Sequence, residues 1–197
     1  MEVGVAVLVG YLLGAIVPGL WIGYLYGIDI QQVGSGNIGS TNVYRVLGFW
    51  PGLIVQIIDI GKALIAVRIA QMLRLNESGL YLTATAAVIG HIYPVWAGFK
   101  GGKGINSLLG GMLLIEPLSA IAAVGTFLIT LSLSQIVSVS SLTAVGSFLL
   151  WHGVVGTGSL SGYLAGVGWL LLVIYTHRSN LHRLLTGTEP KVGQRKR

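Results

Sequence analysis

Three short segments concentrate the side chains that bind or move charge: Gly34–Arg45, Phe99–Gly104 and His177–Glu189. In the first, G-S-G-N-I-G places Gly34, Gly36 and Gly39 close together, a spacing that lets backbone N–H groups converge on an anion. Ser35, Asn37, Thr41 and Asn42 add side-chain hydrogen-bond donors, and Arg45 adds a planar fork suited to phosphate. The same letters match a dinucleotide fingerprint, with Asp59 lying 20 residues beyond Gly39. That fingerprint works only between the strand and helix of a βαβ unit, and here long apolar runs flank it.

The second segment, F-K-G-G-K-G, puts Lys100 and Lys103 among Gly98, Gly101, Gly102 and Gly104 at the mouth of an expected helix. Lysines and a helix N-terminus together make an oxyanion site. It is not a nucleotide-hydrolysing loop, because Gly104 stands where a magnesium-binding hydroxyl is required. In the third segment His177, Asn180, Leu181 and Leu184 share one face of an amphipathic helix, with Gly187 as its stop signal. His177 is suited to proton transfer and Asn180 sits beside it, one turn on. Asp29 and Glu189 are the only carboxylates near these loops, and the chain has no cysteine, so neither a metal nor a cofactor is expected.

The elements that position these groups are apolar. Of 197 residues, 53% are hydrophobic and only 9% charged, where soluble domains carry about 25%. Uncharged stretches run over Val3–Ile28, Ser78–Phe99 and Pro117–His177, the last 61 residues long. One bilayer crossing takes about 20 apolar residues, so these predict an all-α, multi-pass integral membrane protein. Dividing the chain at its polar, Gly- and Ser-rich stretches gives about seven helices: 3–26, 49–72, 79–96, a short one over 105–115, and three within 117–177. We expect a single polytopic domain, 1–197, ending in a basic tail from about 190.

An odd number of crossings puts the termini on opposite sides. With the C-terminus cytoplasmic, the inner loops and tail hold Arg45, Lys100, Lys103, Arg178, Arg183, Lys191, Arg195, Lys196 and Arg197, whereas the outer turns hold Arg74 and at most Arg68. The positive-inside rule favours that orientation, with the N-terminus outside. All three polar segments then face the cytoplasm. The formal charge of +6 reports topology and anionic ligands rather than nucleic acid. Within the apolar runs, Asp59 and Lys62 are three apart and are expected to pair, whereas His91 and His152 read as isolated structural histidines.

The segments G34-S-G-N-I-G-S-T-N-V-Y-R45, G90-H-I-Y-P-V-W-A-G-F-K-G-G-K-G104 and H177-R-S-N-L-H-R-L-L-T-G-T-E189 resemble, in order and spacing, the three signatures of the bacterial acyl-phosphate:glycerol-3-phosphate acyltransferases, the PlsY family. The resemblance implies an enzyme of the cytoplasmic membrane. It would move a fatty acyl group from acyl phosphate to the 1-hydroxyl of glycerol 3-phosphate, giving lysophosphatidic acid and phosphate, the first acylation in phospholipid synthesis. By the same resemblance Ser35, Arg45, His177 and Asn180 act in catalysis, the Lys100–Gly104 loop binds glycerol 3-phosphate, and Glu189 is more structural than catalytic. The substrate-binding set is then Gly34, Gly36, Asn37, Gly39, Thr41, Asn42, Lys100, Gly101, Gly102, Lys103, Gly104 and Ser141.

No histidine is followed five positions later by aspartate, the dyad of other glycerolipid acyltransferases. An acyl phosphate is already activated, so direct transfer, with the donor's own phosphate taking the proton, is preferred to a covalent route through Ser35. A transporter or flippase for phosphorylated metabolites is the alternative, but the inverted repeats typical of one are not evident.

Overall fold

The first apolar run is one helix broken in two. In the computed structural model, α1 (Glu2–Gly14) and α2 (Pro18–Leu25) flank a break at the residues before Pro18, whose ring cannot donate to a preceding turn. The Leu20 N–H bonds to Val17 O rather than to the carbonyl a regular helix would supply, leaving Ile16 O for a partner elsewhere. The structure describes residues 1–193, so Arg195, Lys196 and Arg197 of the expected basic tail lie outside it. Among the described residues all regular structure is helical.

The chain divides into two compact units, Met1–Ile115 and Glu116–Arg197. The first contains α1, α2, α3 (Ser40–Leu47), α4 (Phe49–Met72), α5 (Glu77–Ile92), a 3₁₀ turn at Val95–Ala97 and α6 (Ile105–Ile115). The second contains α7 (Pro117–Ser134), α8 (Val137–Val154), α9 (Leu160–Thr176) and α10 (Arg178–Leu185). Each of the seven expected apolar segments is helical. Four stretches are long and apolar enough to cross a membrane, namely Glu2–Leu25, Glu77–Ala97, α7 and α8, and a fifth arises if α9 and α10, bent by 63°, count as one. The remaining two are α4, which carries Asp59, Lys62 and Arg68, and the 11-residue α6.

Apolar surroundings give helices no hydrophobic reason to associate, so close backbone approach must do it. In the first unit a Cβ on Gly10 or Gly14 of α1 would strike the backbone of Thr83 or Ala87 in α5, and one on Gly90 would strike Tyr11 O. Gly110 of α6 lies equally close to Ile60 O of α4. In the second unit Gly166 of α9 packs on Phe148 of α8, beside Trp169.

The expected Asp59–Lys62 pair forms, at 2.8 Å, with both side chains buried. His91, however, is not isolated: its Nδ1 lies 2.8 Å from Lys62 Nζ. His152 is likewise paired, 2.6 Å from the Glu116 carboxylate, which also accepts from Thr157. Both partnerships span elements far apart in sequence and have no signature in local spacing.

Candidate active site

In the first unit the two glycine-containing loops meet. Gln31 Nε2 donates to Lys100 O at 3.1 Å, and Asn106 Nδ2 donates to Ser40 Oγ at 2.9 Å. Gly34 and Gly36, at φ +64° and +71°, turn the chain into α3 through the left-handed region that glycine tolerates. Thr41 and Arg45, one turn apart, share a face of α3, with Thr41 half-buried and Arg45 exposed.

Three N–H groups of the loop expected to form an anion nest bond within the loop itself. The N–H groups of Ser35, Gly36 and Gly39 go to Asn42 Oδ1 (2.8 Å), Val33 O (3.0 Å) and Asn37 Oδ1 (2.8 Å). Asn42, buried, also donates to Ile30 O and Val33 O, so its whole amide is spent on folding the loop rather than on a ligand. In the second loop Gly101 N–H and Gly102 N–H bond to Ile92 O and His91 O, each at 3.0 Å. Gly101 and Gly102 are small because they lie on the end of α5. Lys100 is exposed and Lys103 half-buried, and α6 starts directly after Gly104 at φ +84°. Phe99 holds φ +62°, a strained conformation for a bulky residue. Ser35 is exposed, and among the described residues none hydrogen-bonds its hydroxyl.

The second unit holds His177, Asn180 and Ser141, all buried. His177 occupies the bend between α9 and α10, and its Nδ1 lies 2.9 Å from Val173 O. A carbonyl only accepts, so Nδ1 carries a proton. α10 ends as expected, with Gly187 at φ +68° and the Thr188 N–H returning to Arg183 O at 2.8 Å. That turn delivers Glu189, whose side chain is 4% exposed, to three donors: Asn180 Nδ2 (2.6 Å), Ser138 Oγ (2.7 Å) and Arg183 Nε (2.7 Å). Val192 N–H then bonds to Gln135 O, so the described part of the tail is anchored rather than simply solvated.

Glu189 fixes Asn180, and Ser138 is a participant that sequence reasoning missed. Serines recur through 132–141 without marking which one faces a carboxylate. Burial alone would raise the Glu189 carboxyl, but hydrogen bonds from Asn180, Ser138 and Arg183, with the charge of Arg183, hold it below its ordinary value. A depressed carboxyl stabilises the fold above its unfolded pKa and loses that contribution as pH falls through the folded value. The thermal midpoint of the unsubstituted protein in detergent should therefore exceed that of Glu189→Gln at pH 7, with the gap narrowing under acid conditions. A gap independent of pH would contradict this.

The model of the glycerol-3-phosphate acyltransferase family matches residues 4–187. Glycerol-3-phosphate acyltransferases from Synechococcus sp. (strain CC9902) and Listeria monocytogenes serovar 1/2a are 43% and 40% identical to this chain. Those alignments cover 94% of this chain in each case, and 93% and 94% of the relatives. The crystal structure of PlsY (YgiH), an integral membrane glycerol 3-phosphate acyltransferase, in its glycerol 3-phosphate form superposes with a TM-score of 0.92 at 38% identity, covering 98% of this chain and 96% of that one. Its lysophosphatidic acid form gives 0.90 at 37% identity over the same shares. The chain therefore belongs to the glycerol-3-phosphate acyltransferase family, as an all-helical integral membrane enzyme of the PlsY kind.

Proposed function

We propose that this enzyme takes its acyl group from an acyl phosphate and transfers it directly to the 1-hydroxyl of glycerol 3-phosphate, with no acyl-enzyme intermediate. The glycerol oxygen attacks the acyl carbonyl, the bond from that carbon to the phosphate oxygen breaks, and the departing phosphate takes the hydroxyl proton. The products are lysophosphatidic acid and inorganic phosphate. Arg45, Lys100 and Lys103 hold the phosphate groups, while His177 and Asn180 orient the acceptor, so catalysis is positioning plus electrostatics.

The observation that supports the direct route is Ser35, whose exposed hydroxyl makes no hydrogen bond to an activating base among the described residues. The solved PlsY structures in glycerol 3-phosphate and lysophosphatidic acid forms support the acceptor and product. Seven crossings, an outside N-terminus and polar loops on the cytoplasmic face of the inner membrane complete the proposal, supported by the distribution of basic residues.

Purified enzyme in detergent, given acyl phosphate and glycerol 3-phosphate, should form lysophosphatidic acid without vesicles. Product formed only from acyl-CoA or acyl carrier protein would refute the donor. An acylated Ser35 trapped by acid quench would refute direct transfer.

A further inference from the structure

We propose that the buried Asp59–Lys62–His91 cluster is a positioning device for the Lys100–Gly104 loop, setting the geometry with which the loop's lysines meet the substrate's phosphate. This rests on that loop being the anion site proposed above.

The ammonium of Lys62 faces three partners: Ile16 O at 2.7 Å, Asp59 Oδ1 at 2.8 Å and His91 Nδ1 at 2.8 Å. His91 Nδ1 also lies 3.3 Å from Asp59 Oδ1, so both members of the pair meet this edge of the ring. The ring is thus held in one orientation by a buried charge pair and by the open carbonyl at the α1–α2 break. Its Nε2 edge lies against Gly102, where a Cβ would strike Nε2 directly. The same residue's carbonyl accepts the Gly102 N–H at 3.0 Å, and Ile92 O accepts from Gly101 at 3.0 Å. His91 therefore supports the loop by both backbone and ring.

Electrostatics gives this arrangement a purpose. The C-terminal end of α5 presents carbonyls, the negative end of a helix, where they would repel an anion. Gly101 and Gly102 cap two of them, and Lys62 lies behind. An anion met by Lys100 and Lys103, on either side of the capped pair, is then spared that repulsion. Phe99, adjoining, keeps its φ of +62° only because the loop is tied down on both sides, by Gln31 at Lys100 O and by α5 at Gly101.

Steady-state kinetics in detergent, varying glycerol 3-phosphate, tests this with substitutions that separate support from stability. Gly102→Ala should raise KM about tenfold with a smaller change in kcat, since a displaced loop binds less well. His91→Asn keeps an acceptor near Nδ1 for Lys62 but vacates the Nε2 position. In that background the Gly102→Ala penalty should shrink to about threefold or less. Equal penalties in both backgrounds would overturn the proposal.

Asp59→Asn with Lys62→Met removes the charge pair without leaving a lone buried ion. It should raise KM about tenfold in protein whose thermal midpoint shows it folded. An unchanged KM there would equally overturn the proposal, and if this double variant does not fold, the Gly102–His91 coupling decides alone. Lys103→Ala separates the two levels: an unchanged KM refutes the anion site itself. A raised KM in Lys103→Ala, with no effect of the cluster variants, refutes only the positioning role.

Discussion

Asn180→Asp is expected to be nearly inactive, and worse than Asn180→Ala although it preserves shape. The amide donates to Glu189 Oε1 at 2.6 Å, with the Glu189 side chain 4% exposed and Asn180 itself buried. Alanine removes the hydrogen bond to Glu189 and leaves that carboxylate with Ser138 and Arg183. Aspartate instead sets a second negative charge against the first in a desolvated pocket, which forces a proton onto one of them or drives them apart. We expect kcat to fall about a hundredfold for alanine, as when a positioned donor is removed, and at least about tenfold further for aspartate. Glu189→Gln in the aspartate variant returns a donor–acceptor pair in reversed sense and should recover part of the loss. Aspartate retaining more activity than alanine, measured at saturating substrates, would show that Glu189 does not position this residue.

The second large effect is expected at Gly101. A Cβ there would strike His91 O, Ile92 O and the Pro94 ring, two of them backbone atoms at the end of α5 that cannot rotate away. Gly101→Val should displace the loop by an ångström or so and lower kcat/KM by about a hundredfold or more. Gly61 offers the contrast: it lies within α4, and a Cβ there would meet nothing within 4 Å. Gly61→Ala should leave kcat/KM unaltered and raise stability by about 0.5–1 kcal/mol, read as a higher thermal midpoint. If the two glycines respond alike, the close approach at Gly101 has no functional weight.

These two positions also show what the amino-acid order can and cannot convey. The seven apolar segments were legible because charge is so scarce that each polar interruption is a boundary. The break before Pro18 inside 3–26 went unread, whereas Asp59 with Lys62 declared itself because a three-residue spacing puts two side chains on one helical face. The third member, His91, lies 29 residues from Lys62 and joins only through the packing of α4 and α5. The glycines were harder still. An anion nest, a left-handed turn and a close helix crossing all call for the same residue, and only the direction of the missing Cβ tells them apart. So Gly101 and Gly102 read as phosphate ligands, yet their N–H groups cap α5. The motif segments His177–Glu189 and Gly34–Arg45 were found as units, but the hub function of Glu189 and the consumption of Asn42 inside its own loop depend on how each segment folds back on itself.

The bond from Lys62 to Ile16 O spans 46 residues and ties α4 to the first helix pair to be synthesised. The helix pair α1–α2 is synthesised first and enters the bilayer with an acceptor that lipid cannot satisfy. When α4 emerges, Asp59 and Lys62 each oppose insertion by about 2.5–3.5 kcal/mol if they must enter alone. The α1–α2 pair is apolar enough to enter by itself, whereas α4 gains a partner for its buried charge beside it. Pairing of α4 with a preceding helix couples the two in the N-terminal half, with the carbonyl left open before Pro18 as the docking point for Lys62.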